Sequence, residues 1–222
     1  MDRWNRIRET LGAADRRERR FRANSHELDY GRHAGPPPYD ARQAAVLVLL
    51  TELPAGWHLP LMVRPARAST HAGQVSLPGG RMEEGETPEA CAVRETVEEL
   101  GIAAEDVELV GRMSPVYIYA SNNEMIPCLG VARRIPDFCP NPHEVARVFW
   151  MPIAALFEPA RRGSHEIRRW GAAFQTPHIQ WESERIWGAT RIVLDELAEL
   201  WKSFGLGDGG TSGILTPSTT SE

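Results

Sequence analysis

Cysteine is scarce in this 222-residue chain, with only Cys91, Cys128 and Cys139, and no two of them stand in C-x-x-C spacing. An odd, scattered set excludes a disulfide framework and a cysteine-based zinc site, and it fits a reducing compartment. Long apolar runs are absent as well. The stretch AAVLVLL, Ala44 to Leu50, is strand-sized and far short of the ~20 residues that cross a bilayer as a helix. Positive charge is not in excess, because 25 Lys and Arg against 30 Asp and Glu leave a formal charge of −5. That balance gives no general attraction to nucleic acid or to an anionic membrane. The arginine-rich N-terminus lacks the apolar stretch of a secretory signal, and Asp2, Glu9, Asp15 and Glu18 set it apart from an organellar presequence. A cytoplasmic location is the expectation. There is no internal repeat, and no nucleotide P-loop or Ser/His/Asp pattern strong enough to carry a function.

What is present falls into three parts. Residues 1–40 form an extension, helical and charged at first and ending in the loop GPPPYD. Residues 41–204 alternate strand and helix patterns in the way of one compact domain. Residues 205–222 are rich in Gly, Ser and Thr and are expected to be disordered. Within the middle part AAVLVLL and HLPLMVR read as paired strands about the turn LPAGW. VELVGRM, PVYIY, EMIPCLGVAR and RVFWM are further strand candidates, and Ile186 to Phe204 reads as a closing amphipathic helix. These patterns predict an α/β fold, a mixed β-sheet flanked by helices.

The densest information lies in GRMEEGETPEACAVRETVEELGI, from Gly80 to Ile102. Thr87 is placed to cap a helix, Pro88 sits where a missing N–H costs nothing, and Gly101 supplies the stop. At about 100° per residue Glu95, Glu98 and Glu99 fall on one side of that helix, and Ala90, Val93, Val97 and Leu100 on the opposite, core side. Like charges within one turn repel, so a cation is expected between them, with Arg94 orienting Glu98 from four residues away. Hard divalent cations take oxygen ligands, which points to Mg²⁺. Cys91 lies on the carboxylate side, but thiolates suit softer metals and it reads as a packing residue. Glu83 and Glu84 read as solvated.

As a spacing the segment is G-x5-E-x7-R-E-U-x-E-E-x-G-U, filled by Gly80, Glu86, Arg94, Glu95, Glu98, Glu99, Gly101 and Ile102, with Thr96 where an aliphatic residue is usual. It resembles the Nudix box. The resemblance implies an α/β/α sandwich with a mixed sheet, metal ligation (Mg²⁺ or Mn²⁺) by Glu95, Glu98 and Glu99, and hydrolysis of a nucleoside diphosphate linked to a second group. Water attacks phosphorus, and Glu95 or a loop carboxylate takes its proton. The glycine backbone at Gly79 and Gly80 lets metal or phosphate approach closely.

Upstream, LMVRPARASTHAGQVSLPGG, Leu61 to Gly80, is similar to the motif of the coenzyme A diphosphatase branch through Leu61, Arg64, Gly73 and Pro78-Gly79-Gly80. Leu77 stands in place of the more usual phenylalanine, and Met62, Pro65 and Ser69 depart from the pattern. Segments PVYIYASNNEMIP, NPHEVARVFWMPI and IWGATRIVLDEL also resemble that branch, so the likeness covers most of residues 41–200. It implies cleavage of coenzyme A to 3′,5′-ADP and 4′-phosphopantetheine. Arg64 is a candidate for the 3′-phosphate, which a guanidinium can bind bidentately. His71 either donates to phosphate or orders its loop, Gly73 serves a turn, and Gln74 contacts substrate or fixes that turn. Glu144, in a Pro- and Asn-rich loop, is either a fourth metal-site carboxylate or base, or a solvated residue. Trp150, Trp170, Trp181 and Trp187 read as core aromatics.

Two alternatives stay open. One is the same reaction on NADH, ADP-ribose or a dinucleoside polyphosphate; the other is a non-catalytic Nudix-fold binding module. The partner in each case is a small molecule, with no nucleic acid or membrane, and a homodimer is left open.

Overall fold

The structure is a computed structural model that describes residues 3–13, 37–66, 71–169 and 171–204. Ser69, Trp170, residues 14–36 of the expected extension and the expected tail 205–222 lie outside the described residues. The chain order is α1 (Arg3–Ala13), β1 (Arg42–Leu53), β2 (Gly56–Val63), β3 (Val75–Ser76), β4 (Gly79–Arg81), α2 (Pro88–Leu100) and β5 (Val107–Arg112). Then come β6 (Val116–Ile118), β7 (Asn123–Ala132), β8 (Arg147–Pro152), β9 (Arg162–Arg169), β10 (Ala172–Trp181), β11 (Glu184–Trp187) and α3 (Gly188–Ser203).

AAVLVLL decides the architecture. In a strand successive side chains alternate in direction, so a continuous apolar run buries both faces. Val46, Val48 and Leu50 enter one core cluster and Ala45, Leu47 and Leu49 enter another. The first cluster is closed by Ile7 and Leu11 of α1 and by Ile192, Val193 and Leu197 of α3. The second is closed by Cys91, Ala92 and Leu100 of α2. The result is a mixed sheet with helices on both faces, as expected. Its strands run β3-β2-β1-β7-β5, with β4 on β1, β6 on β7 and β8 on β2. Strands β1 and β7 pair in parallel from Arg42↔Asn123 to Leu50↔Val131.

The helical reading of the N-terminus holds for α1, whose Ile7 and Leu11 are one turn apart and almost wholly buried. Trp4 packs edge-on against Trp57 at 5.5 Å, and Trp57 against Trp201 at 6.0 Å. These are the tryptophans that meet in the core. Trp181, like Trp4, is partly buried and packs against the first cluster, as read, whereas Trp150 and Trp187 are partly buried and belong to neither cluster, so for these two the expectation is corrected.

A second sheet, β11-β10-β9, was not foreseen. Its strands are polar and short of apolar alternation, RGSHEIRR for β9 and ERIW for β11, and give no strong period-2 signal. The closing helix consequently begins at Gly188, two residues after the expected start at Ile186, because Ile186 and Trp187 pair with Ile179 and His178 as strand.

Candidate active site

Helix α2 starts and stops where its sequence specifies. Thr87 accepts from the Ala90 N–H at 3.2 Å, Pro88 is its first residue, and Gly101 ends it in the left-handed region at φ 70°. The buried stripe, however, is not the expected one. Cys91, Ala92, Thr96, Glu99 and Leu100 are buried, while Ala90 and Val97 are exposed and Val93 is half-buried. The helix is rotated so that a carboxylate lies in the core stripe. Thr96 takes the aliphatic place by donating its hydroxyl to Ala92 O at 2.7 Å, which satisfies the buried oxygen locally.

The three carboxylates therefore occupy three environments. The Glu99 side chain is 4% exposed, Glu95 is 17% exposed and Glu98 is 53% exposed. Glu99 accepts from the Gly79 N–H at 2.8 Å, and its nearest cation is Arg64 Nη1 at 4.0 Å. Burial pushes its carboxyl up to about 8, with Glu95 and Glu144 adding repulsion against the pull of Gly79 N–H and Arg64. Burial also raises Glu95, helped by Glu98 and Glu144 and opposed by Arg94.

Arg94 anchors the group more through Glu86 than through Glu98. Its Nε and Nη2 fork onto Glu86 at 2.8 and 3.0 Å, Nη1 reaches Glu95 at 2.9 Å, and Glu98 is at 3.4 Å. Arg94 and the Glu83 N–H hold the Glu86 carboxyl down to about 2. Glu86 is thus the bidentate seat of the arginine that orients Glu95. The spacing contained it, but nothing in the sequence said which carboxylate the arginine would hold most tightly. Cys91 is buried, its Sγ 3.6 Å from Gly80 O, and its thiol is raised to about 11 by burial and by Glu86 and Glu95. An inert packing thiol is what the sequence implied. Glu83 and Glu84 are exposed, also as read.

Two adjacent glycines fit for different reasons. A Cβ on Gly79, at φ 148°, would lie 2.3 Å from Ala45 O, whereas one on Gly80 would lie 2.4–2.5 Å from the Glu95 carboxylate. Gly79 lets β4 pass against β1, and Gly80 leaves room for Glu95.

Glu144 is brought to the site by the end of α2. The last carbonyls of a helix lack intrahelical partners. Here Asn141 N–H donates to Glu99 O and Cys139 N–H to Leu100 O, both at 2.9 Å, which lays the loop along the helix. Glu144 itself is exposed, yet close enough to act electrostatically on both Glu95 and Glu99.

The upstream residues gather at a cavity rather than at the carboxylates. Arg64, His71 and Gln74 line a space of about 170 Å³, and of these Arg64 also faces Glu99. His71 Nδ1 is 2.9 Å from Gln74 Oε1, and Gln74 N–H donates to His71 O at 3.1 Å, so both residues order the loop as well as line the cavity. Gly73 takes φ 68° in that turn, as read, and donates to Arg64 O at 3.1 Å. Trp187 and Ser76 line the same cavity and were not singled out, although each lies within a segment that carries the resemblance.

The family model of the NUDIX domain matches residues 41–173. The chain belongs to the Nudix hydrolase family. Among its relatives is a Citrobacter koseri protein described as "Uncharacterized Nudix hydrolase NudL", 34% identical over 158 residues that cover 71% of this chain and 81% of that protein. Another is "Nudix hydrolase 15, mitochondrial" of Arabidopsis thaliana, 31% identical over 74% of this chain but only 60% of the relative's own length. A solved Nudix hydrolase from M. Smegmatis, RenU, is 26% identical with a TM-score of 0.44, covering 54% of this chain and 75% of that one. No helix among the described residues is long and apolar enough to cross a membrane.

Whether this Nudix site suits a divalent cation is tested by its donors. Among the described residues no three His, Cys, Asp or Glu side chains stand together in a group that could hold a metal ion by themselves. Mg²⁺ is held by a few carboxylates together with waters and substrate phosphates, so a closed cage is not what it requires. All donors are carboxylate oxygens, and buried Glu99 has its nearest cation at the outer limit of an ion pair. The residues fit the ion.

Proposed function

We propose that this protein hydrolyses the diphosphate of coenzyme A or its derivatives to 3′,5′-ADP and 4′-phosphopantetheine. The observation that carries the substrate is Arg64, which stands between Glu99 and a cavity whose lining, among the described residues, has His71 as its other ionisable group and no carboxylate. That lining favours a substrate with a phosphate beyond the scissile diphosphate.

Glu95, Glu98 and Glu99 are the residues that would hold Mg²⁺ or Mn²⁺. The bound ions supply charge neutralisation on the diphosphate and a water more acidic than bulk water. Arg94, seated on Glu86, fixes the Glu95 carboxylate. Glu95 or Glu144 takes the proton from the attacking water as its oxygen bonds to phosphorus and the bridging oxygen leaves with the other phosphate. Gly79 N–H keeps Glu99 aimed from the glycine turn.

The test is chromatography of products after incubation with Mg²⁺ and, separately, coenzyme A, its 3′-dephospho form, NADH, ADP-ribose and a dinucleoside polyphosphate. Faster release of 3′,5′-ADP and 4′-phosphopantetheine than of any other product pair is the expected result. Equal rates with and without the 3′-phosphate would remove the role given to Arg64, and preferential turnover of another diphosphate would overturn the substrate.

A further inference from the structure

The small sheet ends in β9, which among the described residues pairs with β10 alone. An end strand presents a row of backbone N–H and C=O groups that another strand can complete, and proteins blunt such an edge with proline, a bulge or repelling charge. Strand β9, RGSHEIRR, has no proline, and its pairing with β10 runs without a register shift from Arg162↔Ile179 to Arg169↔Ala172. Its two most exposed charges are of opposite sign. Glu166 and Arg168 flank Ile167, with side chains 45% and 80% exposed.

That order complements itself. Two copies of one strand that pair antiparallel about a two-fold axis keep opposed side chains on one face only if the axis passes through a residue, so that positions equally far before and after it fall opposite each other. With the axis at Ile167, Glu166 faces Arg168 of the second copy and Arg168 faces Glu166 of the second copy. Each carboxylate then lies between two guanidiniums, because Glu166 already accepts from Arg168 Nε of its own strand at 2.9 Å. The two Ile167 side chains meet at the axis, at the ~4.5–5.5 Å between Cβ atoms of directly opposed residues. His165 falls opposite position 169, and burial and Arg185 hold its imidazole below the ordinary value, so it is uncharged at neutral pH and adds no repulsion.

The other registers fail on charge. An axis at Glu166 or at Arg168 sets that residue against itself, and an axis at His165 sets Arg162 against Arg168. An axis at Ser164 would oppose Arg162 and Glu166, but Arg162 is already committed within its own chain, to Asp195 and to Leu156 O at 3.1 Å. Axes nearer either end of the strand leave too few residues to pair.

We propose that β9 is the interface of a homodimer, in which two copies join edge to edge about Ile167 and continue the small sheet across the axis. The partner also reaches the active-site cavity, because Ile167 lines it and Ile167 of the second copy packs against that side chain. The strand pairing engages few residues per copy, so the contact is at the small end of specific interfaces and the dimer dissociates in the micromolar range. The proposal is independent of which diphosphate is cleaved.

The test is sedimentation of the full chain across the micromolar range, beside Glu166→Arg, Arg168→Glu and the double variant Glu166→Arg/Arg168→Glu, with circular dichroism as the check on folding. The wild type is expected to pass from one to two chain masses as concentration rises. Each single variant sets like charges opposite each other at two places and is expected to raise the dissociation constant about 10-fold or more. The double variant restores the pairing with the signs exchanged and is expected to return to within about threefold of wild type. A wild type that stays at one chain mass throughout overturns the proposal. So does a dimer that both single variants leave unchanged, since it would join through another face. A double variant as dissociated as the single ones overturns the register about Ile167, and with it the partner's place at the cavity.

Discussion

The turn and helix from Gly79 to Gly101 and the wall made by β9–β11 and the start of α3 face the same Arg64 from two sides, and they are built in opposite ways. The first packs its working groups into one continuous segment. Helix geometry sets Glu95, Glu98 and Glu99 within one turn, and Arg94, seated on Glu86 eight residues earlier, holds Glu95 and reaches Glu98. The second draws on β3, β6, β9, β11 and α3, residues separated by up to about half the chain, and none of them forms a local pattern. Chemistry that depends on fixed distances between a few charges is served by a single rigid element. Recognition of a substrate's outlying group needs only a shaped wall, which distant segments can assemble and vary without disturbing the charges.

If the division is real, damage to the helix should fall on turnover and damage to the wall on substrate affinity. The largest effect is expected for Glu99→Gln. The amide is isosteric, keeps an acceptor for the Gly79 N–H and removes a carboxyl that burial already pushes up to about 8, so the fold should persist. Activity should fall on the order of 10²–10³-fold, the scale for losing one preorganised electrostatic group, with Tm within a few degrees. Steady-state kinetics beside thermal melts would measure both. Retained turnover would remove Glu99 from the metal set.

Arg94→Lys comes next. It keeps the charge but cannot fork onto Glu86 while also reaching Glu95. A roughly 10–100-fold loss in activity or metal affinity is expected, as for other residues that orient a ligand. Titration with Mg²⁺ would show the loss as a higher metal requirement. A kcat unchanged at every metal concentration would mean that Glu95 needs no such anchor.

The same division explains how much the sequence disclosed. Both caps of α2 and the grouping of Glu95, Glu98 and Glu99 within one turn could be read from spacing alone, because helix geometry carries them. The rotation of the helix could not. Whether Glu99 or Val97 enters the core depends on how α2 lies on the sheet beneath it, next to Leu47 and Met62. Strand β1 was legible because seven apolar residues in a row fit a strand buried on both faces. Strands β9 to β11 were not, since RGSHEIRR is mostly exposed and its pairing with β10 depends on register rather than on hydrophobic alternation. Trp187 looked like any strand aromatic, and its place in the cavity lining depends on how the end of β11 and the start of α3 lie against β3 and β6.

The smallest effect tests the wall without touching Arg64. Thr190, in the first turn of α3, donates its buried hydroxyl to Val75 O in β3 at 3.1 Å and so ties the helix start to the strand that carries Ser76. Thr190→Val preserves shape and removes that one bond, at a cost of about 1 kcal/mol. Because the bond joins two segments of the cavity lining and reaches none of the α2 carboxylates, the expected change is a rise of several-fold in KM for coenzyme A, with a smaller change in kcat. Kinetics of this variant beside Arg94→Lys separate the two regions directly. A fall in kcat as large as that of the arginine variant would show that wall and helix move as one unit, and the division between them would fail.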